Sequence, residues 1–267
     1  MKLYFLLLII SIVSFSYAQD KIELSVDVKD TIEADNIHFK LFELPFSILE
    51  DIESVDFYRF SLDSYSKGEY DLAMLYIKRA IQLSNNIDYK ILKGWIEIRS
   101  GNSKNAIKTI KDVLRKNPTS WKAMYCLANA YMASGNPLAA NVEYTRILEH
   151  KSDYFLAYYE RGLLKYSLND FESAMVDFDM CLYFNKFYSP AYLARGKSYF
   201  RLFKYDNALI DFNRTIIALP SNGEAHYFRG LTHLRRNDYS AACVDLNKAV
   251  SLGHLAAEKE YKTFCVQ

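Results

Sequence analysis

The sequence predicts an all-α solenoid of stacked helical hairpins closed by a C-terminal capping helix. Three observations carry that expectation. Ala73, Ala106, Ala140, Ala174, Ala208 and Ala242 form a ladder whose first step is 33 residues and whose other steps are 34, and a fixed period of this length marks a stacked helix–turn–helix array. Twelve positions before each alanine stands a small residue: Ser61, Gly94, Ala128, Gly162, Gly196 or Gly230. Turn signals fall between the two halves of the units, as in Lys67-Gly68-Glu69, Ser100-Gly101-Asn102, Ser134-Gly135-Asn136-Pro137, Asn169-Asp170 and Asn237-Asp238. Solenoids of this kind more often bind partners than perform chemistry themselves.

With the alanine as the twentieth residue, the units are 54–86, 87–120, 121–154, 155–188, 189–222 and 223–256. Two antiparallel helices approach closely only where neither carries a bulky side chain, so each ladder alanine is expected to face the small residue of its unit. Four positions after the alanine comes Ile77, Ile110, Tyr144, Phe178, Phe212 or Leu246, on the same helical face. Pro118 and Pro220 stop the second helices of their units.

The N-terminus is a separate object. Lys2, an apolar run from Leu3 to Val13, and Ser16-Tyr17-Ala18 before Gln19 read as a signal peptide over residues 1–18. The rival reading, an uncleaved anchor, is disfavoured because the run is shorter than the ~20 apolar residues that span a bilayer. The expected location is therefore periplasmic or secreted, with no integral membrane span after cleavage. No cysteine follows the run to take a lipid, and no later segment is apolar enough to span a membrane. Cleavage removes one lysine and takes the formal charge from +1 to zero, and with no Lys/Arg run the chain offers nucleic acid no electrostatic footprint. Residues 19–53 do not follow the repeat. Ile22, Leu24, Val26 and Val28 alternate with polar residues like a half-buried strand, and Ser47 with Glu50 after Pro45 reads as the start of a helix running into the first unit.

Chemistry is not indicated. The chain lacks a Gly-rich phosphate loop, a GxSxG elbow and an HExxH pair. His38, His150, His226, His233 and His254 are scattered, and the four cysteines form no CxxC pair and have no histidine at ligand spacing, so neither catalysis, a cofactor nor a metal is expected. Asn213-Arg214-Thr215 is a formal glycosylation sequon inside a predicted helix, relevant only in a eukaryotic host.

The units "AYLARGKSYFRLFKYDNALIDFNRTIIALP" and "AYYERGLLKYSLNDFESAMVDFDMCLYF" resemble the tetratricopeptide repeat, and the resemblance covers essentially all of 54–256. The second unit departs from the pattern with Lys90, Lys93 and Glu97 at places the family fills with apolar or aromatic residues, so its helix pair is expected to pack less tightly. The resemblance implies a right-handed superhelix of six hairpins whose first helices line a concave groove, with the side chains at the fifth, ninth and twelfth places of each unit pointing into it. Those are Tyr58, Leu62 and Tyr65; Ile91, Trp95 and Ile98; Tyr125, Asn129 and Met132; Tyr159, Leu163 and Tyr166; Leu193, Lys197 and Phe200; and Tyr227, Leu231 and Leu234. The stripe is aromatic and apolar, and suits an amphipathic helix or extended peptide as partner. The competing reading is that the tyrosines pack between helices. Family members that grip acidic tails use a Lys/Asn clamp at the fifth and ninth places. Asn129 is present, but Tyr125 stands where the lysine belongs, and that mode is disfavoured. Two other classes remain: a structural subunit of an envelope or secretion complex, and a glycan-binding accessory module stacking sugars on the tyrosines.

The last three units carry Arg161, Arg195 and Arg229 where the family usually has leucine, and Asp177, Asp211 and Asp245 sixteen residues later. Ion pairs within each unit are expected, and pairing to the preceding unit (Glu143–Arg161, Asp177–Arg195) is the second choice. At the end, Leu255, Ala256, Lys259 and Lys262 are spaced as one amphipathic turn set of a capping helix. Cys243 and Cys265 lie ten and eleven residues either side of the Gly253-His254 turn, which puts them at similar height in a hairpin. A disulfide and a pair of buried free thiols both fit. The stretch "AACVDLNKAVSLGHLAAEKEYKTFC" resembles the C-terminal cap of exported bacterial tetratricopeptide proteins, which favours the bridge. Cys126 and Cys181 are expected to be free.

Overall fold

A computed structural model describes residues 53–266, which form thirteen α-helices and no strand. Six hairpins follow one another: α1 (Ser54–Ser66) with α2 (Tyr70–Leu83), α3 (Ile87–Arg99) with α4 (Ser103–Lys116), α5 (Trp121–Ala133) with α6 (Pro137–His150), α7 (Phe155–Ser167) with α8 (Phe171–Phe184), α9 (Ser189–Arg201) with α10 (Tyr205–Ala218), and α11 (Gly223–Arg235) with α12 (Tyr239–Ser251). The last helix, α13 (Leu255–Phe264), packs on α12. The signal segment, the alternating strand-like residues and the Ser47/Glu50 helix start all lie outside the described residues. Among the described residues, no helix is long and apolar enough to cross a membrane.

The ends of the helices follow from local chemistry. Asn86, Ser120, Asn136, Asp170, Asn222 and Asp238 each turn a side-chain oxygen to a first-turn backbone N–H, satisfying a donor the helix leaves open. Within five of the hairpins the chain reverses through a left-handed residue that is glycine or asparagine: Gly68, Gly101, Gly135, Asn169 and Asn237. In the fifth hairpin the same place is taken by Phe203 at φ 59°, with 76% of its surface exposed. A bulky residue there is strained; the register of the stack imposes the turn whatever residue the sequence supplies.

The seam within each hairpin differs from the expectation that alanine faces the small residue. All six ladder alanines are fully buried, but the closest approach to the small residue comes from the large side chain one turn further on. A Cβ added to Gly162 would lie 2.6 Å from the Phe178 ring, and one on Gly196 would lie 2.7 Å from the Phe212 ring. Gly94 is similarly covered by Ile110, at 2.7 Å, and Gly230 by Leu246, at 3.1 Å. Glycine therefore makes room for a ring rather than for a methyl group. Where serine replaces it, the Ser61 hydroxyl donates to the Ala73 carbonyl at 2.8 Å. In the second unit Lys93 sits 3.6 Å from Glu97, and the Glu97 Oε2 atom is buried without a hydrogen-bond partner.

Three arginines link the later units. Arg161 donates from Nε and Nη2 to the two oxygens of Asp177 at 2.9 and 2.7 Å. Arg195 meets Asp211 at 2.8 and 2.7 Å, and Arg229 meets Asp245 at 2.7 and 2.6 Å, in the same fork. The third arm, Nη1, reaches the preceding unit, but not at the residues of the second-choice pairing. It goes to Thr145, Asp179 and Asn213, at 3.1, 2.6 and 2.6 Å. Each of these lies two residues beyond the aspartate-equivalent place. Two residues are about 200° apart on a helix, so Asp177 faces back to α7 while Asp179 faces forward to α9. Glu143 is drawn instead to Arg146, at 2.7 Å. His226 also joins the last pair, with Nδ1 3.1 Å from Asp245 and Nε2 3.1 Å from the Pro220 carbonyl.

At the C-terminus Cys243 and Cys265 are joined in a disulfide, with Cα atoms 5.5 Å apart. The inward face of α13 is Ala257, Tyr261 and Cys265. Leu255 is 88% exposed and Ala256 is exposed, so the turn set expected from sequence points outward. The helix starts at Leu255 after His254, and that phase carries the i, i+4, i+8 set beginning at Ala257 toward α12. Cys126 and Cys181 are free and buried, and burial pushes the Cys181 thiol up to about 12.

Candidate peptide-binding groove

The first helices of successive units touch one another at four of the five junctions, α1 with α3, α3 with α5, α7 with α9 and α9 with α11, while the second helices pack chiefly against the first helices on either side. Elements drawn together lie on the inside of a curve, so α1, α3, α5, α7, α9 and α11 form the concave wall. On that wall the fifth, ninth and twelfth places do different work.

Fifth-place residues are largely absorbed into packing. Ile91 is buried in the core beside Cys126, so it does not line the groove. Tyr58 stacks on Tyr89 with ring centres 4.8 Å apart, and Tyr227 stacks on His254 at 4.4 Å. Tyr125 is wedged among Trp95, Tyr144 and Tyr154, while Tyr159 packs on Phe178 and Tyr188. The ninth and twelfth places are more open: Leu62 is 39% and Met132 41% exposed. Trp95, Leu163, Tyr65, Tyr166 and Phe200 are partly exposed. Tyr65, Tyr166 and Phe200 are braced by Tyr70, Phe171 and Tyr205 at 6.0, 5.2 and 5.9 Å.

The two polar points of the stripe are both engaged. Asn129 donates to the Tyr125 carbonyl at 2.8 Å. Lys197 reaches Glu224 of the next unit at 2.7 Å and lies over the rings of Tyr166 and Phe228, at 5.6 and 5.1 Å.

One groove residue escaped the sequence reading. Glu160, beside Tyr159 on α7, occupies the sixth place of its unit, where other units have Leu92, Cys126 or Ala194 buried between first helices. A carboxylate at a place that Leu92, Cys126, Ala194 and Phe228 keep apolar in four of the other five units, Arg59 of the first unit being the exception, was the available signal. Burial raises its pKa, against which a hydrogen bond from Tyr125 pulls back, and no cation contributes. Burial, and then the nearby charge of Glu160, hold the phenols of Tyr125, Tyr144 and Tyr154 above their ordinary value. The same charge contributes at Tyr159 and Tyr188. Four of these phenols form two edge-to-face pairs, Tyr125–Tyr154 at 5.4 Å and Tyr159–Tyr188 at 5.0 Å.

A family model described as the tetratricopeptide repeat matches residues 91–140 and 193–251. The fold is that of a tetratricopeptide-repeat solenoid. A TPR repeat-containing protein of Methanocaldococcus jannaschii is 31% identical over 103 residues, a stretch that covers 38% of this chain and 18% of that relative. The helical array is also similar to the Cut9–Hcn1 hetero-tetramer, with a TM-score of 0.69 and 16% identity over 86% of this chain and 47% of that one. It is similar to YrrB, a TPR protein whose structure is described as having an unusual peptide-binding site, with a TM-score of 0.60 and 18% identity over 70% and 97% of the two chains. MamA from Desulfovibrio magneticus matches at 0.59 and 16% identity over 62% and 94%. Likeness at these identities is a likeness of fold. Among the described residues there is no group of three or more His, Cys, Asp and Glu that could hold a metal ion.

Proposed function

We propose that this chain is a non-enzymatic interaction scaffold, exported to the periplasm or beyond, that binds a peptide or helix of a protein partner in its concave groove. The observation that carries the reading is the row of braced but partly exposed apolar side chains at the ninth and twelfth places, from Leu62 and Tyr65 through Trp95 and Tyr166 to Phe200. Aromatic anchors held by neighbours lose little freedom when a partner covers them, and they dominate the energetics of such interfaces. Export rests on the N-terminal sequence and on the Cys243–Cys265 bridge, a bond at home in oxidising compartments. Alanine changes at Trp95, Tyr166 and Phe200 test the groove. Loss of peptide capture by the folded variants supports it, and retention of full affinity in all three contradicts it.

One observation favours a second reading, a structural subunit built into a larger complex. Val142, Val176, Ile210 and Val244, each two residues after a ladder alanine, are 55%, 60%, 53% and 70% exposed. They face away from the seam on four successive units and form an apolar row on the outer side. Serine changes at Val176 and Ile210 that abolish assembly while sparing peptide capture would favour that reading.

A further inference from the structure

We propose that a cavity at the start of the fifth unit, beside Tyr192, receives a large apolar side chain of a protein partner, and that Lys186 and Arg214 hold an acidic residue next to it. The cavity lies where the chain passes from α8 to α9 and where α10 ends. It shares no residue with the stripe of fifth, ninth and twelfth places, so it does not depend on the groove reading.

Its volume is about 240 Å³. Small-molecule and cofactor sites start near ~300 Å³, so this one suits a single side chain. Two of its lining residues are small, Ser189 and Ala218, the first and thirtieth of the unit. In the neighbouring units these places carry bulk. The fourth unit has Phe155 and Phe184 there, and the Phe184 ring stacks on Tyr158, the counterpart of Tyr192, with centres 5.9 Å apart. In the sixth unit Leu252 covers Gly223, at 3.2 Å from where a Cβ would stand. The fifth unit lacks both rings, and the space beside Tyr192 stays open. The Ser189 hydroxyl is buried without a hydrogen-bond partner among the described residues, so what serine contributes here is small size.

The rim states what the cavity would take. Phe187 is 82% and Ile217 80% exposed, and both line it; apolar side chains this open beside a cavity mark a contact surface. The Tyr192 hydroxyl donates to the Lys186 carbonyl at 3.1 Å, which pins the loop wall before any partner arrives. The Lys186 ammonium lies 5.1 Å from the centre of the Phe187 ring, and the Arg214 guanidinium 5.1 Å from that of Tyr192. Both cations are exposed, and neither forms a salt bridge among the described residues. Arg214 acts on Asp211 only at a distance, because both Asp211 oxygens are taken by the Arg195 fork. The positive end of α9 and the negative end of α10 border the cavity together and offset each other, so the preference for an acid rests on the two side chains. The repeat array points the same way: residues 53–267 carry 29 Lys and Arg against 23 Asp and Glu, a surplus that draws acidic partners.

The test selects binders from a phage-displayed library of random hexapeptides on the wild-type protein, with counter-selection on Ala218→Phe. That variant supplies in the fifth unit the ring that Phe184 supplies in the fourth, and it leaves the groove intact. Where circular dichroism shows it misfolded, Ile217→Ser, a change at an exposed position, takes its place. The enriched peptides are resynthesised as C-terminal amides, so that side chains are their only carboxylates. A large apolar residue beside Asp or Glu is expected, with affinity falling about 10-fold or more for Ala218→Phe. The double variant Lys186→Gln with Arg214→Gln should lose about 5-fold, less at high salt. Replacing the acidic residue of the peptide with its amide should abolish that second difference. A selection that yields no peptide able to distinguish wild type from the cavity variants overturns the inference and leaves the groove standing. Distinguishing peptides that lack an acid and bind the double variant equally overturn it as well.

Discussion

Removing the carboxylate from an arginine fork should cost different amounts in different units, and the structure says which unit suffers more. Asp211 is 1% exposed and takes two charged hydrogen bonds from Arg195, which is 16% exposed. In Asp211→Ala the guanidinium keeps Asp179, at 2.6 Å, so the loss should lie at the low end of the range for breaking a buried pair, about 3 kcal/mol. Asp177 carries more. It binds Arg161 at 2.7 Å and Lys165 at 2.8 Å, and beyond Asp177 the guanidinium of Arg161 meets only neutral groups among the described residues, the Thr145 hydroxyl and the Tyr158 ring. Asp177→Ala strands two cations and should cost about 4 to 5 kcal/mol. Arg195→Met with Asp211→Leu removes both charges, and is expected to return to within about 1 kcal/mol of wild type or above it, since apolar pairs of similar volume replace buried ion pairs without loss. Leu127, 2% exposed at the arginine place of the third unit, shows that an apolar side chain fits. Urea unfolding followed by circular dichroism measures these values, and an unchanged m-value keeps each midpoint shift a stability difference. If both single alanine variants fall within about 0.5 kcal/mol of wild type, the forks are surface decoration and the reasoning is wrong.

The remaining predictions address the turn, the cap and the groove. Phe203→Asn places at the fifth hairpin the residue found at Asn169 and Asn237, and should stabilise the protein by about 1 kcal/mol in thermal unfolding; a lower midpoint contradicts the strain. Cys243→Ser or reduction should cost about 3 kcal/mol, because the bridge spans 22 residues, and should raise amide exchange in α13 first. Identical melts with and without reductant would contradict it. Because burial raises the pKa of Glu160, its contribution to stability is present below the unfolded value of about 4.3 and is lost as pH rises through the folded one. Glu160→Gln should therefore be more stable than wild type at neutral pH, with the gain fading as the solution is acidified; a gain that grows toward low pH reverses the sign.

The helices were legible because their signals are local. The alanine ladder, the small residue before it and the Gly or Asn turns all act within one unit, and the period repeats them six times. What depended on three-dimensional phase was less legible. Arg195 was matched to Asp211 by spacing within its own unit, but its reach to Asp179 depends on a half-turn rotation that places 179 toward the next unit. The face of α13 shifted from Leu255 to Ala257 for the same reason. Phe203 carried no turn signal, since the stack dictates its conformation from outside. In the groove, the spacing of Tyr125 and Tyr159 located the wall, while their burial among Tyr144, Tyr154 and Tyr188 comes from neighbouring units. Glu160 was hidden because a single carboxylate on a helix reads as solvated surface until its burial is known.

The central claim is that the concave wall, and not the outer apolar row, receives the partner. A dodecapeptide selected on the wild-type protein, resynthesised with p-benzoylphenylalanine at one apolar position, can be photocrosslinked and the attachment sites mapped by mass spectrometry. The account predicts attachment to the first helices, at Trp95, Met132, Leu163 or Tyr166. Attachment to Val142, Val176, Ile210 or Val244 would contradict it.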